Sequence, residues 1–280
     1  MPPAGQPVVR RVEANGTTIA YAQSGQGAPL LLLHGAEADH AMFDDFAPLL
    51  AQSFTVIAYD QRDCGDTRNP AQLYGLEELA GDAAALVAAL GYARAHVFGT
   101  SLGGAIAQVL AARHPERVDR LVLASTFRAG TPPLAINPEV FPKLAALRGG
   151  LPQTASEIAR YFFPDELLAG RPELLDMFKG NRRDEAQKER RAGILTHPVT
   201  ADLGAIKAPT LVLVGAEDRL IPPAHSLSLA SEIAGAQSVV LPALGHVGTI
   251  QDPDAVARAV LSFLREETKS TVIPSAARNP

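Results

Sequence analysis

A single cysteine, Cys64, is all that the chain offers for disulfide chemistry, so no intramolecular bridge can form and nothing calls for an oxidising compartment. There is no Lys/Arg-rich run, and the formal net charge is -5. That leaves no electrostatic footprint for DNA or RNA and no basic amphipathic stretch for a membrane surface. No apolar run approaches the ~18 residues of a membrane span, and the start, Met-Pro-Pro-Ala-Gly-Gln-Pro, lacks the basic and apolar regions of a secretion signal. A cytoplasmic location is expected. No His/Cys/Asp cluster has metal-ligand spacing, so neither metal nor cofactor is expected, and no internal repeat interrupts the pattern. What remains is an ordinary globular composition, 47% apolar and 20% charged over 280 residues, long enough for one large core or a core carrying an insertion.

Short β-type runs fall at Val8–Val12, Thr17–Gln23, Leu30–Leu33, Thr55–Tyr59, Ala95–Phe98 and Leu121–Ala124. Helical patterns at Met42–Ala51, Leu76–Leu90 and Leu102–Arg113 separate the later ones. Such alternation means a mostly parallel sheet with helices on both faces, the α/β class. The Asn15-Gly16 turn makes the first pair an antiparallel hairpin. From about Thr131 to Leu203 there are short helical pieces punctuated by proline and no convincing strand. Alternation then resumes with a strand at Pro209–Val214, a helix at Ala224–Ile233, a strand at Ser238–Leu241 and a helix at Pro253–Glu267. The expected organisation is a core of residues 1–128 and 205–267, an inserted helical cap at 129–204, and a disordered tail at 268–280.

Where the strand pattern at 95–98 gives way to a helix pattern stands Gly99-Thr100-Ser101-Leu102-Gly103, the pattern of a nucleophile elbow. Glycines on both sides of Ser101 remove side chains that would obstruct a sharp strand-to-helix turn. A serine hydroxyl is a weak nucleophile at neutral pH, so it needs a base and the base needs an orienting acid. Both stand after later strands: Asp218 in Val-Gly-Ala-Glu-Asp and His246 in Leu-Gly-His, at the carboxyl ends where open α/β sheets place their ligand sites.

The order Ser101, Asp218, His246, together with His34-Gly35 directly after the apolar run Leu30–Leu33, resembles the α/β-hydrolase fold family over about residues 8–266. The resemblance implies an eight-stranded sheet and an oxyanion hole formed by the backbone N–H groups of Ala36 and Leu102. Tyr59-Asp60-Gln61-Arg62-Asp63-Cys64-Gly65-Asp66-Thr67 is similar to the family's Asp-x-Arg-Gly-x-Gly-x-Ser loop, with Asp63 where glycine is usual and Thr67 where serine is usual. Asp tolerates left-handed backbone, so the turn can survive. Cys64 reads as a bystander in that loop.

Other residues read as structural. Glu217 adjoins the triad acid but points elsewhere, and Asp39-His40 form or cap the start of the helix near Met42. His34 is a hydrogen-bonder beside the oxyanion loop, while His96, His114, His197 and His225 are surface or satisfied. The apolar segments Ala159–Phe163 and Leu174–Phe178 pack the cap's core or line an acyl pocket. Arg182–Arg191 reads as a solvated helix face.

A serine nucleophile beside an oxyanion hole means acyl transfer. The resemblance therefore implies a serine hydrolase, a carboxylesterase or lactonase, acting on a small, fairly apolar molecule without nucleic acid or membrane as partner. Three alternatives share the scaffold: a cofactor-free perhydrolase or haloperoxidase-like enzyme, a carbon–carbon bond hydrolase, and a non-enzymatic ligand receptor. The carbon–carbon hydrolases of the family generally carry Asn before the nucleophile, where this chain has Thr100. Oligomeric state is not legible in the sequence.

Overall fold

The computed structural model describes residues 8–179, 183–194, 199 and 201–265. Eight strands form one sheet: β1 (Val9–Ala14), β2 (Thr17–Ser24), β3 (Ala28–Leu33), β4 (Phe54–Tyr59), β5 (Ala95–Thr100), β6 (Val118–Ala124), β7 (Thr210–Gly215) and β8 (Gln237–Leu241). Their spatial order is β1-β2-β4-β3-β5-β6-β7-β8. β1 and β2 are antiparallel to each other, β2 is antiparallel to β4, and every pair from β4 to β8 is parallel. Asn15 and Gly16 both have positive φ, 50° and 69°, the tight hairpin turn whose twist suits a strand pair.

The central strands are continuous apolar runs because both of their faces are covered. Leu30, Leu31, Leu32 and Leu33 are fully buried, and β4, β5 and β7 are buried along their whole length. The helices gather in two groups. α1 (Leu76–Ala89) packs on α2 (Leu102–Arg113), which lies against β5 and β6. Farther along the chain, α8 (Pro253–Arg265) packs on a single helical turn at Ala47–Leu50. α1 carries one buried charge, Asp82, which accepts two hydrogen bonds from Arg62, 2.6 Å from Nε and 2.8 Å from Nη2. Asn15 Nδ2 donates to the same carboxylate at 2.7 Å, tying the first hairpin to α1.

The single helix anticipated at Met42–Ala51 is two pieces, a 3₁₀ turn at His40–Phe43 and the α turn at Ala47–Leu50. Pro48 is the reason: it lacks the N–H that a continuous helix would need there, yet fits the first turn of a new one. Asp39 caps the 3₁₀ turn, accepting from the Ala41 N–H at 3.0 Å, the role its position foretells.

Between β6 and β7 the described residues contain no strand. They form α3 (Val140–Arg148), α4 (Ala155–Ala159), α5 (Asp165–Gly170), α6 (Glu185–Gly193) and intervening turns. This helical excursion rests on the carboxyl-end loops of the sheet. Asn137 Nδ2 donates to the carbonyls of Arg219 and Leu220 after β7 at 3.1 and 3.2 Å, and Arg148 lies 2.9 Å from Glu37 after β3. α7 (Pro223–Glu232) follows β7. The expected tail at 268–280 and His197 lie outside the described residues.

Candidate active site

Ser101 stands between β5 and α2 with φ 53° and ψ -123°, a backbone conformation that costs free energy for any residue with a side chain. Its surroundings enforce it. The Ser101 N–H donates to Ala124 O at 3.1 Å, and its carbonyl accepts from Gly104 N at 3.0 Å and from Thr126 Oγ1 at 2.6 Å. The flanking glycines are fixed by contact as well as by flexibility. A Cβ on Gly99 would come within 2.4 Å of Gly103 O, and one on Gly103 within 2.1 Å of Leu33 O. Strand and helix therefore approach too closely for any other residue, and the Ser101 side chain is not consumed in capping the helix it precedes.

Asp218 and His246 meet in the loops after β7 and β8. His246 Nδ1 lies 2.8 Å from Asp218 Oδ2, and the two side chains are only 3% and 1% exposed. A carboxylate only accepts, so Nδ1 carries the proton and Nε2 of the neutral ring is left as a base. The other carboxylate oxygen accepts from the N–H groups of Leu220 at 3.0 Å and Ile221 at 2.9 Å, which fixes its plane. Gln251 braces the histidine loop: its Oε1 accepts from Gly245 N at 2.8 Å, and its Nε2 donates to Ala243 O at 2.8 Å. Glu217 is exposed and does not share this arrangement.

The His34-Gly35 loop runs beside the elbow. A Cβ placed on Gly35 would lie 3.5 Å from Ser101 Cβ and 3.9 Å from its Oγ. His34 is fully buried; Nδ1 donates to Gly35 O at 2.7 Å and Nε2 accepts from the Gln61 N–H at 3.2 Å. Burial, aided by the positive charge of Arg191, lowers its pKa from 6.5 to about 4, so the ring is neutral and structural. Leu102 is the first residue of α2, so its N–H is among those without an intrahelical acceptor, at the end of the helix that favours an anion.

The loop after β4 holds the second shelf of the site. Asp63 adopts φ 56°, and Thr67 Oγ1 donates to Asp60 O at 2.7 Å while accepting from Ala20 N at 2.9 Å, so threonine serves as a brace in place of serine. His40 N and Nδ1 both reach Asp60 Oδ1, at 2.8 and 2.7 Å. That hydrogen bond raises the His40 pKa. Burial works against the Asp60 carboxylate, but the bonds from His40 and the Asp66 N–H outweigh it and hold its pKa low. Among the described residues Asp39, His40 and Asp60 are the group whose ligand atoms converge within 4.8 Å. Each of the three side chains already makes a hydrogen bond, Asp39 with the Ala41 N–H and His40 with Asp60, so the group reads as a knot closing the loop.

Of the Arg182–Arg191 stretch expected as a solvated face, Arg182 lies outside the described residues, and Arg183, Arg190 and Arg191 turn inward. Arg191 is buried; its Nη1 and Nη2 each lie 3.2 Å from Gln61 Oε1, and it also donates to Arg62 O and Ala36 O at 3.2 Å. Arg190 forms a two-pronged pair with Asp63, 2.7 Å on each arm. Arg183 donates from Nε to Asp63 O at 2.7 Å and from Nη2 to Ala36 O and Cys64 Sγ at 3.2 Å. The exposed remainder, Asp184, Glu185, Lys188 and Glu189, masks a stripe of Gln187, Arg191 and Ile194 at helical spacing. That stripe, set beside an aspartate where glycine is usual, was the available signal.

One further residue differs from expectation. His96 is buried, edge-on to Phe54 at 5.4 Å, with Nδ1 lacking a hydrogen bond although Asp119 lies 3.3 Å away; burial lowers its pKa. Phe162 of the helical excursion sits edge-on to the His246 ring at 5.7 Å and stacks on Phe178 at 4.9 Å, so one of the two apolar segments reaches the site while Phe163, 2% exposed, packs within the core. A space of about 10 Å³ beside His246 is lined by Tyr161, Phe162, Pro164, Glu217 and Arg219 among others.

A family model described as alpha/beta hydrolase fold matches residues 28–253. The chain is 32% identical to a poly(3-hydroxyalkanoate) depolymerase of Ectopseudomonas oleovorans, covering 88% of this chain and 87% of that one. It is 33% identical to a 2-hydroxymuconate semialdehyde hydrolase of Pseudomonas putida, covering 92% and 94%. Among solved structures, the enol-lactonase of Burkholderia xenovorans LB400 superposes with a TM-score of 0.78 at 28% identity, covering 92% of this chain and all of that one.

Proposed function

The chain belongs to the α/β-hydrolase family, and from that premise we propose that it is a serine hydrolase cleaving a carboxylic ester or lactone of a small, fairly apolar molecule. One observation carries the reading: Ser101 is held in a costly elbow conformation at the same sheet edge as a buried acid–imidazole pair whose Nε2 is left as a base. Stability alone gives no reason to keep a serine at positive φ where glycine would relieve it.

His246 takes the Ser101 proton as Oγ attacks the substrate carbonyl. Asp218 holds the imidazolium, and the Ala36 and Leu102 N–H groups donate hydrogen bonds to the carbonyl oxygen as negative charge develops on it. Collapse of the adduct breaks the acyl–oxygen bond, and the leaving alkoxide receives the proton from His246. Water, deprotonated by the same histidine, then releases the acid and restores Ser101. The helices between β6 and β7 act as a cap, with Phe162 roofing His246. The depolymerase and enol-lactonase relatives, whose named substrates are a polyester and a lactone, support ester chemistry.

The test is labelling with a fluorophosphonate followed by peptide mapping, alongside turnover of p-nitrophenyl esters of rising chain length, simple lactones and 2-hydroxymuconate semialdehyde. Ester or lactone turnover with the label on Ser101 is expected. Ser101→Ala and His246→Ala should each lower kcat by ~10⁴-fold or more, with little added by combining them, and Glu217→Gln should be nearly silent. Label on another residue, or turnover of the semialdehyde alone, overturns the reading.

A further inference from the structure

We infer that Arg183 and Arg191 are positioning residues for the oxyanion hole, so that the cap helix α6 completes the catalytic site as well as roofing it. The inference deepens the serine-hydrolase reading and rests on it. The Ala36 N–H belongs to the Gly35–Ala36 peptide, and the Ala36 carbonyl to the next one. Gly35 O is held on one side by His34 Nδ1 at 2.7 Å and by the Ala38 N–H at 3.3 Å. Ala36 O is held on the other side by two guanidiniums, Arg183 Nη2 and Arg191 Nη2, each at 3.2 Å. With both flanking peptide planes tied, the direction of the Ala36 N–H is fixed before substrate arrives, which is the preorganisation that such a donor requires.

Both arginines also hold the loop after β4, Arg183 through Asp63 O at 2.7 Å and Arg191 through Gln61 Oε1 and Arg62 O at 3.2 Å, and Arg183 lies 3.9 Å from Glu37; Ala36 O is the one acceptor the two share. A surface ion pair would not need a buried guanidinium, yet Arg191 is 9% exposed and its hydrogen-bond partners among the described residues, Gln61 Oε1, Arg62 O and Ala36 O, are all uncharged acceptors. Burying a charge on neutral partners is expensive, and a charged docking pair is supplied separately by Arg190 and Asp63 at 2.7 Å. The Ala36 carbonyl is held in this way only while the segment carrying Arg183 and α6 is seated on the core, so the seating of that segment bears on the chemistry.

The experiment compares Arg183→Gln, Arg191→Gln and their double variant with Arg190→Gln, which breaks the cap-to-Asp63 pair and touches neither Ala36 nor Gln61. Three quantities are read: kcat and KM on p-nitrophenyl acetate, the inhibition constant of a boronic acid whose tetrahedral adduct needs the hole, and Tm. The double variant is expected to lose ~10²-fold in kcat with KM within threefold, and to bind the boronic acid correspondingly more weakly. Each single variant, retaining one donor to Ala36 O, should lose about tenfold and provides the readout if the double variant does not fold. Arg190→Gln should lower Tm while leaving kcat within about threefold. The inference is overturned if kcat survives loss of both donors, or if Arg190→Gln loses as much kcat as they do. A wild-type protein that neither takes the fluorophosphonate on Ser101 nor turns over esters defeats the serine-hydrolase reading instead, before any variant is compared.

Discussion

Acidification should destabilise this protein through His34 well before its carboxylates are protonated. The ring is fully buried and its two nitrogens have opposite duties, Nδ1 donating to Gly35 O and Nε2 accepting from the Gln61 N–H. A second proton would set two N–H groups against each other inside the core. The folded pKa is about 4 against an ordinary value of 6.5, so between those values the unfolded chain binds a proton that the folded chain refuses. The contribution is fully present above about pH 6.5 and is lost as pH falls towards 4, with a slope of up to ~1.4 kcal/mol per pH unit and a total of roughly 3 kcal/mol. His96, its pKa also lowered by burial, adds in the same sense. His40, raised by its hydrogen bond to Asp60, acts oppositely: its contribution is present at low pH and lost as pH rises through its elevated value. Urea unfolding of the wild type and His34→Asn from pH 4.5 to 8 separates these, because only the wild type carries the His34 slope. Ring ¹⁵N shifts should show an Nδ1–H neutral tautomer down to about pH 4.5. An imidazolium signal from His34 at pH 6, or equal slopes in the two proteins, would refute the reasoning.

Two further outcomes follow from contacts that have no flexible side to yield. Gly103→Ala puts a Cβ 2.1 Å from Leu33 O and 2.7 Å from His34 O, both backbone; it should cost about 3 kcal/mol or more and sharply slow fluorophosphonate labelling, and wild-type values for both would count against the elbow geometry. Asp82→Asn leaves the Arg62 guanidinium, 9% exposed, without its charged partner and should lower stability in urea by about 3 kcal/mol, with no measurable change refuting a structural role for the pair.

The sheet was legible because the buried parallel strands are unbroken apolar runs and the helices between them end in plain signals, such as Pro115 after α2. The elbow was legible because its glycines are a backbone requirement, and backbone requirements leave fixed spacings in sequence. The arginine contacts were not. Arg183, Arg190 and Arg191 look like solvent-facing charge when read along their own stretch of chain, since their partners, Ala36, Gln61 and Asp63, stand more than a hundred residues earlier. Pro48 hid the break in the helix near Met42 for a different reason: proline is equally welcome at a helix start, so its presence did not distinguish one helix from two.

Asp63 addresses the helical segment between β6 and β7 to the loop after β4. A substitute for that segment without a counterpart of Arg190 would leave a 3%-exposed carboxylate lacking its paired cation. The same segment set against glycine at position 63 would carry an arginine with no address. Exchanging this segment therefore means moving α6 and residue 63 together, as one unit split across the chain.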